Sequence, residues 1–443
     1  MLKYLISILT CFIVHKSFSQ QWWGYSQCAQ YAIENNLTLK QEQLKTENQL
    51  INYKMAVNKF LPNLNANTGY SITQGKTVDP NTNDVIDNQS FFSNSYSLGA
   101  DLDIFSGFNR KSRVLFEKHN LKASQSNLAM QQNTITYNVL QAYTSVLLYQ
   151  GLIEIQQQHL ALSQQEFNRT IKLIEIGQMA GVEIHEASSI LAMDEFQLTR
   201  YKNLAEDNLA KLKRLMYYPC DSSLSITPIG QQNKNFNEVE TGSIFNYALE
   251  NLPLVKRVNY LLDASENQLR MQQAGYWPSL AFFVGWQTGY FETSKLGDGT
   301  VTPFRDQMDQ NMQFGYGFNL SIPIFSRFGN RNKVQQAKIN IQHAELEREQ
   351  ALLQLEYDIA EAMRNWKASI EENELAKKQE ISAASAFEAA QKRKEKGLIS
   401  AFGYYHAKQN LAAAQGESLR TNLQLFMMEK TIWYYLTGTL LGN

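Results

Sequence analysis

Residues 312–322 read MQFGYGFNLSI, in which apolar side chains occupy every second position and glycine or polar residues stand between them. This period of two is typical of a β-strand whose two faces differ in polarity. The same alternation predicts four strands in all, at about 63–74, 93–105, 279–291 and 311–325. Each alternating segment has roughly the length that crosses a bilayer when a strand is tilted.

The apolar faces of these strands are predicted to face lipid. In the second pair of strands this face is mostly aromatic and includes Phe282, Trp286, Phe314, Tyr316 and Phe318. The opposite faces are too polar to form a second core layer, and a soluble four-stranded sandwich would leave two open edges. An apolar exterior around a polar interior is typical of a transmembrane barrel, which needs at least about eight strands. Several chains must therefore each contribute four strands, with exposed loops at 75–92 and 292–310.

The chain contains a tandem duplication. The segment YAIEN at 31–35 recurs as YALEN at 247–251, and LPNL at 61–64 recurs as WPSL at 277–280, both at an offset of 216 (247 − 31 and 277 − 61). Further on, DIFS at 103–106 matches PIFS at 323–326, at an offset of 220 (323 − 103). A period this long exceeds that of solenoid repeats. We therefore predict two structural repeats, 20–230 and 231–443, each with a helix, two strands and a long helical hairpin.

Two long tracts are predicted to hold long helices because they lack proline, which breaks a helix interior. These tracts are 81–218 and 324–443. In the first, Val114, Leu121, Leu128 and Ile135 lie seven residues apart among mostly polar neighbours, the pattern of a coiled-coil seam. A helix from Asn109 to Ile176 would be on the order of 100 Å long. A compact domain does not need such a helix.

The N-terminal residues indicate a targeting segment. A lysine precedes a short apolar stretch, and small residues near Ser19 suit a signal peptidase, so residues 1–19 are predicted to be a signal peptide. Lipid attachment at Cys11 is the alternative. The other two cysteines, Cys28 and Cys220, either pair with each other or stay as unpaired small side chains.

Composition excludes several classes of function. With 41 Lys+Arg against 42 Asp+Glu, the formal net charge of -1 offers no bulk field for binding nucleic acid. After the N-terminal segment no run of about 18 apolar residues predicts a spanning helix. The sequence has no GxSxG or GxxxxGK[ST] motif, and its six histidines form no HExxH pattern. We therefore predict no enzyme activity, no cofactor and no metal site.

Together these features resemble the TolC family of outer membrane efflux and export proteins. The resemblance covers about residues 21–442 and includes LDIFSG at 102–107 and IPIFS at 322–326, where strands lead into long helices. It implies an α+β membrane protein, a homotrimer whose twelve-stranded barrel continues as an α-helical coiled-coil tunnel in the periplasm. Such outer membrane factors form pores, as porins do, and pass the cargo of efflux pumps or type I secretion systems. They catalyse no reaction. Their partners are a periplasmic adaptor, also called a membrane fusion protein, and an inner-membrane RND or ABC transporter.

The resemblance also implies where the adaptor would bind. In each repeat the helical hairpin turns at a glycine, and these turns are Gly177-Gln178 and Gly397-Leu398. Some relatives narrow the periplasmic aperture with acidic residues six and nine positions after that glycine. The first repeat has Glu183 and Glu186 at these positions, whereas the second has Gly403 and His406.

His406 is the candidate gate of the aperture. Three copies around one axis would become charged as the pH falls from about 7.5 to 5.5, and their repulsion would loosen the closed state. The alternative is a solvated His406 on the outer face of its helix.

Two other classes of protein remain as alternatives, a periplasmic coiled-coil adaptor and a structural protein without a transport pore. An adaptor should contain lipoyl-like and soluble β-domain segments in place of four lipid-facing strands. A structural coiled coil should contain no such strands. A tunnel lined by small polar groups selects weakly, so the sequence names neither the cargo nor the transporter class.

Overall fold

A computed structural model describes residues 22–78, 85–229 and 241–441. The predicted signal peptide and Cys11 lie outside the described residues. The helices are α1 (Tyr25–Asn35), α2 (Leu37–Asn58), α3 (Asn109–Glu175), α4 (Glu183–Met216), α5 (Thr241–Asn251), α6 (Pro253–Gln273), α7 (Phe304–Gln310), α8 (Gly329–Glu395) and α9 (Ala401–Thr437). The strands are β1 (Trp22–Trp23), β2 (Asn63–Val78), β3 (Val85–Ser106), β4 (Ser225–Ile226), β5 (Ser279–Phe291) and β6 (Gln313–Ser321).

The chain forms two compact units, and each unit contains segments from both halves of the sequence. Of the described residues, the first unit comprises those up to Leu44, those within Ser126–Lys256 and those from Ala351 onward. The second comprises Lys45–Gln125 and Arg257–Gln350. The two longest helices, α3 and α8, have 67 residues each and contribute residues to both units.

The second unit contains a four-stranded antiparallel sheet in the order β2-β3-β5-β6. Residues paired directly across neighbouring strands point to the same face of a sheet. One such row is Ala66, Leu98, Trp286 and Phe314. The next row on one side, Leu64, Ala100, Val284 and Tyr316, is also apolar, and the apolar surface continues from there to Leu280 and Leu320. The next row on the other side, Thr68, Tyr96 and Thr288, contains two threonines.

The first hairpin is longer than the alternation predicts. β2 continues to Val78 and β3 begins at Val85, so strand pairing extends into the linker predicted as a loop at 75–92. The hydrogen bonds between paired strands join backbone groups and do not depend on the side chains. The polar composition of this segment therefore does not indicate that its strands pair. β6 ends at Ser321, shortly before Pro323, which has no N–H to donate to a ladder.

Two large apolar clusters hold the first unit together, with a smaller one around Phe387, Tyr404 and Leu411. One joins α1, α3 and α4 and contains Cys28, Leu140, Tyr143 and Leu212. The other joins α5, α8 and α9 and contains Ile244, Ile359, Trp366 and Ile432. All of these side chains are buried. Such burial of apolar surface is the main source of stability for helices that are otherwise polar.

The long helices approach each other closely at one glycine. A Cβ atom at Gly151 of α3 would lie 2.4 Å from Leu419 Cδ2 of α9, so a larger residue there would require the Leu419 side chain to move. Among the described residues, no helix combines the length and the apolar content needed to cross a membrane.

Cys28 and Cys220 are both free in the structure. Cys28 is buried and Cys220 is exposed, so the pairing considered from the sequence is not formed. Burial raises the pKa of the Cys28 thiol to about 12, which keeps it protonated and unreactive at neutral pH.

Candidate functional site

The two hairpin turns in the first unit have the same backbone structure. Gly177 N–H donates to Ile174 O over 3.0 Å and Gln178 N–H donates to Leu173 O over 2.8 Å. The second turn repeats this pattern around Gly397. Both glycines have positive φ, 69° and 71°, which closes a Schellman motif and ends the preceding helix. The turns predicted from the glycines therefore occur where expected.

A cavity of about 580 Å³ lies beside these turns and brings together several predicted site residues. Gln178, Glu183, Glu186 and Gly397 all line it. Apolar side chains such as Ile190 form other parts of its wall. We call this feature the tip cavity.

One partly exposed ion pair joins the two hairpins at the tip cavity. Lys394 at the end of α8 donates to Glu166 of α3 over 2.6 Å. The same ammonium group lies 4.1 Å from the centre of the Tyr404 ring, a cation–π contact with α9. Burial raises the pKa of Tyr404 to about 12, and the nearby Glu166 carboxylate acts in the same direction.

A second ion pair, between α4 and α9, is almost fully buried. The side chains of Lys408 and Asp194 are 2% and 3% exposed, and Lys408 Nζ donates to Asp194 Oδ2. Lys408 also donates to Ser163 Oγ and to His159 O, while Ser163 Oγ donates to Asp194 Oδ2 over 2.5 Å. Gln156 Nε2 donates to both Asp194 O and Oδ1 over 3.2 Å. The buried charges are therefore paired and surrounded by further hydrogen bonds, as buried charges must be.

His159 lies next to this buried ion pair. Its Nε2 atom lies 3.1 Å from Gln415 Oε1 of α9. Burial lowers the pKa of His159; the contact with Gln415 opposes this shift, and the positive charge of Lys408 adds to it. The imidazole is therefore held in its neutral form at neutral pH.

The other predicted aperture residues do not line the tip cavity. His406 is exposed on α9, with its Nδ1 atom 3.1 Å from Asn410 Nδ2 and its ring centre 6.4 Å from that of Phe402. A Cβ atom at Gly403 would lie 2.7 Å from Ile399 Cγ1, so this position contacts the turn. Gly177 and Leu398 are exposed at the two turns.

In the second unit, the predicted lipid-facing residues share one face of the sheet. Phe282 pairs with Phe318, Trp286 pairs with Phe314, and Tyr316 pairs with Val284 between them. Their contact with lipid stays a prediction.

The polar face of the sheet has a groove floored by glycine. One row across the strands is Asn65, Gly99, Gly285 and Gly315, and the groove has a volume of about 520 Å³. Phe283 stands on this face, and a Cβ atom at Gly317 would lie 2.8 Å from its Cζ atom.

Sequence reasoning missed Phe283 and the Lys408–Asp194 pair. The sequence does show that Phe283 lies on the polar face, because it alternates with Phe282 and Val284, which belong to the apolar face. The ion pair left no local signal, since its two residues are 214 positions apart in the sequence. Among the described residues no group of His, Cys, Asp or Glu is arranged to hold a metal ion.

A family model described as outer membrane efflux protein matches residues 28–216 and again residues 244–431. The two matches begin 216 residues apart (244 − 28), the same offset as the internal sequence similarity.

Two curated relatives from Pseudomonas putida share 22% identity with the chain over 269 residues. They are the probable efflux pump outer membrane protein SepC and the toluene efflux pump outer membrane protein TtgF. The match covers 60% of this chain and 55% of each relative, so the chain spans about half the length of the curated relatives it matches.

Solved structures of outer-membrane proteins have a similar fold. The Campylobacter jejuni CmeC outer membrane channel has a TM-score of 0.80 at 17% identity, over 94% of this chain and 85% of that chain. The outer membrane protein VceC from Vibrio cholerae has a TM-score of 0.78 at 13% identity, over 94% of this chain and 96% of that chain. The open state of the Neisseria gonorrhoeae MtrE outer membrane channel has a TM-score of 0.74 at 18% identity, over 94% of this chain and 89% of that chain. At these identities the likeness shows a shared fold.

Proposed function

Because the chain belongs to the outer membrane efflux protein family, we propose that three copies of it form one channel through the outer membrane. Each chain contributes four strands to a twelve-stranded barrel, and the long helices continue the barrel as a tunnel into the periplasm. The channel passes cargo from an inner-membrane RND or ABC transporter to the exterior. The curated relatives are named as efflux pump proteins, which favours an efflux pump over a type I secretion system.

The open sheet is the observation that carries this proposal. β2 and β6 stand at its two ends, and within the described residues each has one hydrogen-bonded neighbour in this sheet. An open edge beside a continuous apolar face is unfavourable for an isolated chain in a membrane, where every backbone group needs a partner. Pairing β6 of one copy with β2 of the next removes both edges, and three copies close the ring.

Two exposed apolar stripes support contact between the same neighbours. In α2 the stripe is Leu37, Leu44 and Ile51, and in α8 it is Ile339, Leu346 and Leu353; all six side chains are exposed. Seven-residue spacing is the pattern of helices that pack as coiled coils. The two stripes are different surfaces, so they form a head-to-tail contact that closes into a ring.

The hairpin turns are the proposed docking site for a periplasmic adaptor. Gly177, Gln178, Gly397 and Leu398 are exposed in the chain and lie on two turns of the same backbone structure. Glu183, Glu186, Gly403 and His406 are proposed to line the nearby aperture, with His406 as the group that responds to pH.

The proposal is tested by measuring the mass of the purified protein in detergent and its conductance in planar bilayers. A trimer that conducts ions is the expected result, and a folded monomer in the membrane, without conductance, contradicts the proposal. Acidifying the periplasmic side from about pH 7.5 to 5.5 should raise the conductance, and His406→Ala should abolish that rise. If this variant keeps the pH response of the parent, His406 is not the gate and Glu183 and Glu186 are tested next.

A further inference from the structure

Basic residues are concentrated where the strands of the second unit lead into helices. We call this zone, residues 59–63, 105–115, 274–279 and 321–335, the junction band. Its charged side chains are all basic: Lys59, Arg110, Lys111, Arg113, Arg327, Arg331 and Lys333. The strand ends meet here, because Ser279 pairs with both Ser106 and Ser321. The net charge of the whole chain is -1, so this concentration of positive charge is a local feature.

The junction band presents the same aromatic pair in both halves of the chain. Phe105 and Phe108 have ring centres 5.3 Å apart at an angle of 89°, and Phe325 and Phe328 have ring centres 5.6 Å apart at 86°. A bulge after Asp103 shifts the register and places Phe105 opposite Leu280, on the apolar face of the sheet. The apolar face therefore continues into the aromatic pair, and Phe108 and Phe328 are exposed.

An exposed cation stands three residues after the second ring of each aromatic pair. Lys111 stands three residues after Phe108, and Arg331 stands three residues after Phe328, each in the first turn of a long helix. Phe108 and Phe328 immediately precede these helices, so each cation lies within one helical turn of an exposed aromatic ring along the chain. Lys111 and Arg331 are equivalent in the duplication, because they are 220 residues apart (331 − 111), as are the two phenylalanines.

The two arginines of the junction band in the first repeat, Arg110 and Arg113, already contact groups within the chain. Arg110 donates to Ile104 O over 2.9 Å and lies 4.8 Å from the centre of the Phe60 ring. Arg113 lies 3.7 Å from the Glu117 carboxylate. Lys111 and Arg331, by contrast, have no ion pair or side-chain hydrogen bond among the residues that the structure describes. Their charges are available to an external anion.

We propose that the junction band binds the phosphate groups of phospholipids in the periplasmic leaflet of the outer membrane. Lys111 and Arg331 bind the phosphates, and Phe108 and Phe328 pack against the adjoining acyl chains. A surface that combines an aromatic edge with cations beside it matches the boundary between acyl chains and headgroups. An acidic protein partner would match the charge alone and would not need an apolar face that runs into the sheet. This inference rests on the proposed barrel, whose apolar face contacts lipid.

The test compares two double variants of the full chain, purified in uncharged detergent and stripped of lipid. Lys111→Gln with Arg331→Gln removes the exposed cation that stands three residues after each aromatic pair and leaves the other exposed cations of the band, Lys59, Arg327 and Lys333, in place. Lys118→Gln with Lys338→Gln is the matched control, since both lysines are exposed on the same helices, about 10 Å further along the axis and on the same face. Each protein is titrated with short-chain phosphatidylglycerol, and bound lipid is counted by native mass spectrometry.

The first variant should bind phosphatidylglycerol roughly 30-fold more weakly than the parent, because one basic side chain near an anionic lipid surface contributes about fivefold in affinity. The control should bind within about twofold of the parent. The charge-conserving exchange Lys111→Arg with Arg331→Lys should also retain binding, which separates the effect of charge from that of packing.

Equal binding by the first variant and the parent would overturn the lipid site, and so would an equal loss in the control. Displacement of the lipid by an acidic peptide at similar concentration would assign the band to a protein partner and also overturn the proposal. Mass and conductance are measured on the same samples. A variant that remains a conducting trimer while its lipid binding is unchanged refutes the lipid site and leaves the channel proposal intact.

Discussion

At the scale of single residues, two ion pairs beside the tip cavity differ in exposure and therefore in energetic role. Lys394 and Glu166 are partly exposed, so solvent screens their attraction and their net contribution to stability is small. Lys408 and Asp194 are buried and embedded in hydrogen bonds, so removing one partner leaves the other charge uncompensated. The buried pair fixes how α9 packs against α3 and α4.

Lys408→Met is therefore expected to destabilise the helical packing of the first unit by about 3–5 kcal/mol, because Asp194 loses its counter-charge in a buried site. The measurement is the melting midpoint of the helical circular dichroism signal. The double variant Lys408→Met with Asp194→Leu is the control and should recover most of the loss, since an apolar pair replaces the ion pair. A single variant that melts with the parent would show that the pair contributes nothing to stability.

At the scale of elements, the sheet separates its side chains by parity across all four strands. Register keeps Leu98, Trp286 and Phe314 on one face and Gly99, Gly285 and Gly315 on the other. A slip of one residue would reverse every side chain of a strand, so the contrast between the two faces specifies the register strongly. The register shifts once in the first hairpin, between Gly75 and Thr77, and once at the bulge after Asp103, which carries the apolar face on to Phe105.

Phe314→Arg should cost roughly 2–4 kcal/mol in the membrane and lower the yield of assembled protein, because it places a charge on the surface that we propose faces lipid. Gly315→Ser is the control on the opposite face. It is better suited than a change at Gly317, where a Cβ atom would collide with the Phe283 ring, whereas a Cβ atom at Gly315 has no neighbour within 4 Å. Equal yields for both variants would mean that the two faces have been assigned wrongly.

At the scale of the whole molecule, the described part of the chain has two open sheet edges and two exposed apolar stripes, which the proposed trimer would pair with each other. The sheet has an edge at β2 and an edge at β6, and the helices α2 and α8 each carry an exposed apolar stripe. Different surfaces that meet head to tail generate a ring when the rotation closes. The chain therefore contains both halves of the interface that the proposed trimer needs.

Leu346→Lys should reduce the fraction of trimer, because it places a charge in the apolar stripe of α8 where a neighbouring α2 is proposed to pack. Asn340→Lys is the matched control; it adds the same charge to the same exposed helix, about 120° around the axis. Size-exclusion chromatography with light scattering in detergent measures the outcome. If the two variants assemble equally well, the stripe is not part of the interface.

The sequence by itself determined the family, the outer-membrane location, the four strands and the two hairpin turns. The family model and the curated relatives confirm the resemblance to outer membrane efflux proteins. These features are local in the sequence or repeated along it. Alternating polarity assigns the side chains of a strand to its two faces, and glycine allows the positive φ that ends a helix. A fixed spacing between similar segments indicates a duplication.

Only the tertiary structure decided which distant residues meet. Strand order, the bulge that turns Phe105 to the apolar face, and the pairing of Lys408 with Asp194 all depend on contacts between residues far apart in the sequence. A single sequence carries periodicity along one chain, whereas an ion pair or a register is a relation between two segments. The physical reason is that burial and exposure are defined only after the helices and strands have packed. Packing buries Lys408 with Asp194, which gives that ion pair its effect on stability, and it leaves Lys111 and Arg331 exposed.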